Sequence, residues 1–296
     1  MRHISFALVL LFALAGTGSA QSVILGALED VPGRTTTETN SFRIRILFQK
    51  VGTEWVAYPH HCENPECLKT ISSKFPNEVR WTVAFDGRTL GTVLGRTSSE
   101  FHWYADIGLQ DIGSKDAVPT IGKRSTVFGG FTGDAVYRPL VTISQPSFSD
   151  PDRWTSHTPT EQERAIQGAF RKHFGNLCKL KEDAALEPLN YKDSDIKVRK
   201  LYASKGGSAV ARVHLENAID CNDDEAGFGL DDSWFTITPG NVVSYLDSGI
   251  WLVDAGDYDN DGRSELLFAI DRYNEGGYEL FYDGFRKHAV FSYSFH

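Results

Sequence analysis

Four carboxylates crowd into nine residues near the end of the chain, in the run Asp257-Tyr258-Asp259-Asn260-Asp261-Gly262-Arg263-Ser264-Glu265. In water such groups repel one another, and drawing them into one tight turn calls for a hard cation that accepts their oxygens. The alternate spacing aims Asp257, Asp259 and Asp261 at a common centre, Gly262 permits a sharp reversal, the Arg263 carbonyl adds a backbone oxygen, and Glu265 closes the shell. Calcium is the cofactor expected of that oxygen set. The helix-loop-helix form of such a loop needs a bidentate Glu three residues beyond Glu265, where Phe268 stands. The flanks, Ile250-Trp251-Leu252-Val253 and Leu266-Leu267-Phe268-Ala269-Ile270, are apolar runs of strand length, so the loop is expected to join two strands. A solvated Asp/Asn/Gly turn is the plain alternative.

From Gly256 to Leu266 the segment resembles the calcium loop of FG-GAP repeats, found in integrin-like β-propellers and in many bacterial secreted proteins. Glu265 stands where Asp is usual, and its longer side chain still reaches an ion. The resemblance covers about one blade, from Ile250 to His296, and implies a calcium ion that staples strands together rather than a catalytic centre.

Met1-Arg2-His3 is positively charged, Ile4 to Ala15 is apolar but short for a bilayer span, and Gly18-Ser19-Ala20 ends in small residues. A secretory signal peptide at 1–20, cleaved after Ala20, is therefore expected, giving a secreted or periplasmic protein with no membrane span. An oxidising compartment pairs cysteines, and the most local arrangement of the four present is Cys62 with Cys67, closing a small loop whose Asn64 and Pro65 favour a turn, and Cys178 with Cys221. A zinc site built from His60, His61, Cys62 and Cys67 is the alternative to the first pair. With 30 Lys+Arg against 39 Asp+Glu the chain is acidic, which argues against nucleic acid as a partner.

Strands and tight turns run almost throughout. Five hairpins are expected: Phe42 to Phe48 with Glu54 to Tyr58, Val79 to Phe85 with Leu90 to Leu94 around Asp86-Gly87, Ile196 to Ala203 with Ala209 to Leu215, Trp234 to Thr238 with Val242 to Leu246, and Gly277 to Tyr282 with His288 to Phe295. One helix of about four turns interrupts them, signalled by Thr158-Pro159-Thr160-Glu161 and by Ile166, Ala169, Phe170 and Phe174 at helical spacing, and it reads as a connector or lid. Two tryptophan hairpins, Arg80 to Gly87 leading to Trp103-Tyr104-Ala105-Asp106-Ile107-Gly108 and Ser233 to Gly240 leading to Trp251-Leu252-Val253-Asp254-Ala255-Gly256, echo one another as a duplication or by chance. The organisation expected is a β unit at 21–150, a helical connector at 151–190 and a β unit at 191–296. The fold class is mostly β, a propeller-like or irregular assembly of antiparallel hairpins with one inserted helix, with a β-sandwich as the alternative.

No nucleophile elbow, zinc-protease motif or phosphate-cradling loop occurs, and no catalytic residue is assigned. His102 beside Trp103 and Tyr104 reads as a strand residue or a general base, and Asp220 to Glu225 with Asp231 and Asp232 as a solvated loop or a second calcium site. Trp154, Tyr137, Tyr273 and Tyr278 sit at strand ends, where rings either bury between sheets or stay exposed to stack on sugars. Arg272, Tyr273, Asn274 and Tyr278, next in sequence to the acidic loop, are the candidate recognition residues, for a cell-surface protein or glycan. These features point to an exported, calcium-stabilised binding or structural module rather than an enzyme. A secreted or periplasmic hydrolase acting on glycan or peptide, with its site built from separated strands, is the rival.

Overall fold

The computed structural model describes residues 22–30, 42–60, 62, 64–98, 100–101, 107–112, 118–119, 139–158, 162–181, 185–221 and 232–294. The expected signal peptide, His61, His102 with Trp103, Tyr104 and Asp106, Tyr137, the helix-start residues Pro159, Thr160 and Glu161, and the acidic stretch from Asn222 to Asp231 lie outside the described residues.

The N-terminal sheet takes the first eight strands in chain order: β1 (Ile24–Asp30), β2 (Phe42–Val51), β3 (Glu54–Ala57), β4 (Val79–Phe85), β5 (Arg88–Gly95), β6 (Glu100–Phe101), β7 (Ile107–Asp111) and β8 (Leu140–Ile143). They lie in the order β5-β4-β8-β1-β2-β7-β6, and β3 pairs with the far end of the long β2. At the β4–β5 turn both Asp86 (φ 49°) and Gly87 (φ 71°) are left-handed, the pair of conformations that lets a two-residue turn follow the twist of its strands. Helix α1 (Pro65–Ser72) was not expected from the sequence, where Asn64 and Pro65 read as turn residues. They are instead its N-cap and first residue: the Asn64 side chain accepts from Cys67 N at 3.0 Å, and Pro65 gives up no hydrogen bond there.

Next come β9 (Thr155–His157), α2 (Glu163–His173), β10 (Leu177–Leu180), β11 (Leu186–Pro188), β12 (Lys197–Ala203), β13 (Ala209–His214), β14 (Ile219–Asp220), β15 (Ser233–Ile237) and β16 (Val243–Ser248). Five of these strands form a middle sheet in the order β16-β15-β13-β12-β9, and three form a small sheet in the order β11-β10-β14. The C-terminal sheet is an up-and-down ribbon, β17 (Ile250–Gly256), β18 (Glu265–Arg272), β19 (Glu275–Tyr282) and β20 (Lys287–Ser294), in chain order. The fold is thus mostly β and antiparallel, with open sheets, and all five expected hairpins are present. The stretch 191–296, read from the sequence as one unit, contributes strands to three sheets.

The alternation of side chains along β18 stacks these layers. Leu266, Phe268 and Ile270 enter a core with Tyr202, Val210 and Trp234 of the middle sheet, while Leu267 and Ala269 enter the core of the N-terminal sheet with Leu28, Ile46 and Phe48. The C-terminal sheet is therefore covered on both faces, which is why its strands read as unbroken apolar runs. Each Leu, Ile or Phe so buried contributes about 2 kcal/mol, against about 1 kcal/mol net for a hydrogen bond, so the covered faces fix the sheet's place in the stack. Helix α2 covers the other face of the middle sheet, with Ile166 and Phe170 fully buried against Ile196, Ala211 and Phe235. Its described length is three turns rather than four, and the residues read as a connector or lid form an outer packing layer.

Both disulfides join the cysteines paired from the sequence, Cys62 with Cys67 (Cα–Cα 5.6 Å) and Cys178 with Cys221 (5.1 Å). With both sulfurs of the first pair bonded to each other, the zinc alternative loses its thiolates. Two disulfides fit an extracellular or periplasmic protein. No helix among the described residues is long and apolar enough to cross a membrane.

Candidate metal centre and the polar edge of the same sheet

The acidic run joins β17 to β18, where Gly256 pairs with Glu265. Asn260 (φ 59°) and Gly262 (φ 88°) supply two left-handed residues that reverse the chain. The carboxylates organise their own loop: Asp257 Oδ1 accepts from Asp261 N and Oδ2 from Gly262 N, each at 2.9 Å, and Glu265 Oε2 accepts from Tyr258 N at 2.8 Å. Ligand oxygens of Asp257, Asp259 and Glu265 lie within 4.8 Å of one another. Asp261, expected from spacing in the same set, is not in this group. Its Oδ1 accepts from Arg263 N at 2.9 Å, and its other oxygen lies 3.5 Å from the Arg263 guanidinium. That guanidinium also reaches Asp283 Oδ1 at 3.1 Å.

Burial makes this group expensive to charge. Asp257 and Glu265 are 5% and 3% exposed. Burial raises the Asp257 carboxyl above its ordinary range against the opposing pull of the Gly262 and Asp261 amides, and it pushes Glu265 up to about 9, helped by the neighbouring carboxylates of Asp259 and Asp257. Left to itself, Glu265 holds a proton at neutral pH. An all-oxygen donor set with more acid than burial tolerates fits a hard cation such as Ca²⁺, which would take the place of that proton.

Three parts of the molecule meet at this corner. The segment linking the N-terminal and middle sheets clasps the loop: Ser149 O accepts from Asp257 N (2.9 Å), Asp152 Oδ2 from Ser264 N (2.8 Å) and Asp150 Oδ1 from Ser264 Oγ (2.6 Å). Phe148 stacks on Tyr258 at 5.7 Å and lies so close over Gly256 that a Cβ there would fall 2.0 Å from its ring. From the N-terminal sheet, Lys50 reaches in and its ammonium pairs with Asp259.

The candidate recognition residues separate. Arg272 and Tyr273 line a cavity of about 280 Å³ with Asp232, Trp251 and Asp271, and Tyr273 is 57% exposed. Arg272 is fixed by Asp247 Oδ2 (2.5 Å), Glu275 Oε2 (3.2 Å) and Ser248 O (3.1 Å). Asn274 takes the left-handed position of the β18–β19 turn (φ 56°). Tyr278 does not join them: it is buried, donates to Glu29 Oε1 at 2.8 Å beside Arg45, and burial raises its hydroxyl pKa well above the usual value. Period-two alternation sends position 278 to the N-terminal core. Trp154 is buried as well, edge-on to Phe285 at 6.0 Å.

Two further polar groups had no sequence signal, because each is assembled across strands. On the middle sheet, Asp232 accepts from Arg212 Nε (2.7 Å) and lies 3.1 Å from His214 Nδ1, while Arg212 lies 4.0 Å over the Trp251 ring. His214 lines a cleft of about 330 Å³ with Tyr191, Lys197 and Arg199. Between the middle and C-terminal sheets, Glu279 is hydrogen-bonded to Asp247 and to His288, and burial first and Asp247 second push its carboxyl up to about 7. No family model, curated protein or solved structure matches the chain.

Proposed function

We propose that this chain is an exported, calcium-stabilised binding module in which Ca²⁺ is held by Asp257, Asp259 and Glu265. The observation that carries the reading is the convergence of those three carboxylates at a corner clasped by the N-terminal sheet, the 148–152 segment and the C-terminal sheet itself. An ion there would tie the β17–β18 turn into one rigid corner, in keeping with the FG-GAP-like sequence of the loop and with its place between the first two strands of a four-stranded ribbon. Export by the leader at 1–20 would deliver the protein to a compartment where calcium is plentiful. The exposed Tyr273 with Arg272 and Trp251 around their cavity is the surface assigned to the partner, a cell-surface glycan or protein, since aromatic faces stack on sugar or peptide while the guanidinium and Asp232 offer hydrogen bonds. Thermal melting with calcium and with chelator tests the metal. The parent protein is expected to melt higher with calcium, and Asp259→Ala to show no difference; identical melting of the parent in both conditions removes the ion from the reading.

A second reading, a hydrolase acting on glycan or peptide, draws on the His214–Asp232 pair, whose Nδ1 contact would fix the imidazole tautomer and turn Nε2 to the adjoining cleft as a general base. Turnover of a polysaccharide or peptide library that His214→Ala abolishes would establish it, and no turnover would leave the binding module.

A further inference from the structure

Lys50 is brought to the acidic corner from another sheet. It belongs to β2 of the N-terminal sheet, some two hundred residues from the acidic run in sequence, and its ammonium pairs with Asp259, one of the three converging acids. The pair is secluded: the side chains are 16% and 4% exposed. The ammonium lies 5.2 Å from the Trp55 ring, its cross-strand neighbour on β3, and 5.5 Å from the Tyr282 ring of β19. Tyr282 is in turn fixed by donating to Glu54 Oε2 at 2.9 Å, and Glu54 pairs with Lys287 of β20. Two aromatic faces thus hold the cation against the acidic corner, where it cannot swing freely into water.

A divalent ion accepted by Asp259 comes within a few bond lengths of this ammonium, and even at an effective dielectric of about 20 a double and a single positive charge at such range repel strongly. Water screens little of it, because the pair is enclosed. We propose that Lys50 is a resident counter-cation that competes with calcium for Asp259, so that the N-terminal sheet holds the loop's calcium affinity down. The proposal rests on the reading of Asp257, Asp259 and Glu265 as a calcium site. Linkage makes the effect reciprocal: calcium entering the corner loosens the contact of the β2–β3 hairpin with the C-terminal sheet by the factor by which that contact weakens calcium. The corner then joins ion level to the docking of one layer on the next, beyond serving as a staple.

Titration calorimetry with calcium chloride on the chelator-stripped full chain separates the two ideas. Lys50→Met is expected to bind calcium at least about tenfold more tightly than the parent, and Lys50→Arg, which keeps the charge, to stay within about threefold of it. Metal-free Lys50→Met should melt below the parent and regain the loss on adding calcium, since it leaves Asp259 buried without its partner. If Lys50→Met does not fold without calcium, Lys50→Gln carries the same comparison. A parent that binds calcium, with Lys50→Met and Lys50→Gln of equal or weaker affinity, overturns the role of Lys50 and leaves the calcium site standing. Binding by Lys50→Met alone supports the competition and refutes calcium occupancy of the native protein. No uptake by any variant overturns both.

Discussion

At the β17–β18 corner, Asp257, Asp259 and Glu265 converge and, among the described residues, the cation paired with them is Lys50. Along the seam between β16 and β19, Asp247, Glu275 and Glu279 are linked through shared partners: Arg272 bridges Asp247 and Glu275 while His288 meets Glu279. The corner belongs to the C-terminal sheet, the seam joins that sheet to the middle one, and both bury carboxylates. They differ in where the compensating charge comes from. The seam has the Arg272 guanidinium on a strand already packed against it, and there burial, with Asp247 beside it, raises the Glu279 carboxyl to about 7. The corner has more acid than its neighbours neutralise, and that deficit is what a cation or a proton on Glu265 must fill. Acid content alone therefore does not mark a metal centre.

The sharpest way to break this contrast is Asp257→Ala. Its two oxygens hold the amides of Asp261 and Gly262, so the change is expected to cost about 3 kcal/mol in urea unfolding even with chelator present and to abolish any calcium-dependent gain. A variant as stable as the parent in chelator would show that the loop does not depend on its acids.

The seam responds to pH. Its Glu279 carboxyl is raised from the ordinary 4.5 to about 7, so the folded state keeps a proton that the unfolded state has lost. The stability this proton supplies is complete below about pH 4.5 and is lost as pH rises through about 7. Unfolding of the parent between about pH 5 and 7.5 should show that decline, and Glu279→Gln, neutral throughout, should make it less steep, the decline that remains belonging to Glu265. An equal slope in both would place the titration elsewhere. The smallest effect belongs to Asp261→Ala: its side chain serves the turn and lies outside the converging group, so a loss of about 1 kcal/mol or less is expected with the calcium-dependent gain in melting retained. Loss of that gain would restore Asp261 to the ligand set.

Hairpins were legible because their signals are local. Asp86-Gly87 declares its left-handed turn, and alternating residues such as Phe42 to Phe48 declare a strand before any partner is known. The same locality misled at Asn64-Pro65, since a helix cap and a turn use the same residues for the same reason, a side-chain oxygen accepting from the backbone ahead. In the acidic loop, spacing marked which residues lie together but not which of them turn inward. Asp261 spends its oxygens on Arg263, and that choice follows from the loop's own hydrogen bonds. Arg272 and Tyr278, close in sequence, part company because strand alternation puts position 278 on the face toward Glu29 and Arg45.

By itself the sequence determined the strand periods, the hairpin turns and the clustering of acid between Asp257 and Glu265, all set by interactions among residues near in the chain. Tertiary structure alone decided that the C-terminal sheet is the inner layer, that Lys50 reaches Asp259, and that His214 meets Asp232 while Glu279 meets Asp247. The physical reason is range: periodicity and turn chemistry act over a few residues, whereas burial of both faces of a sheet and the pairing of charges depend on which surfaces meet, and no local pattern records that.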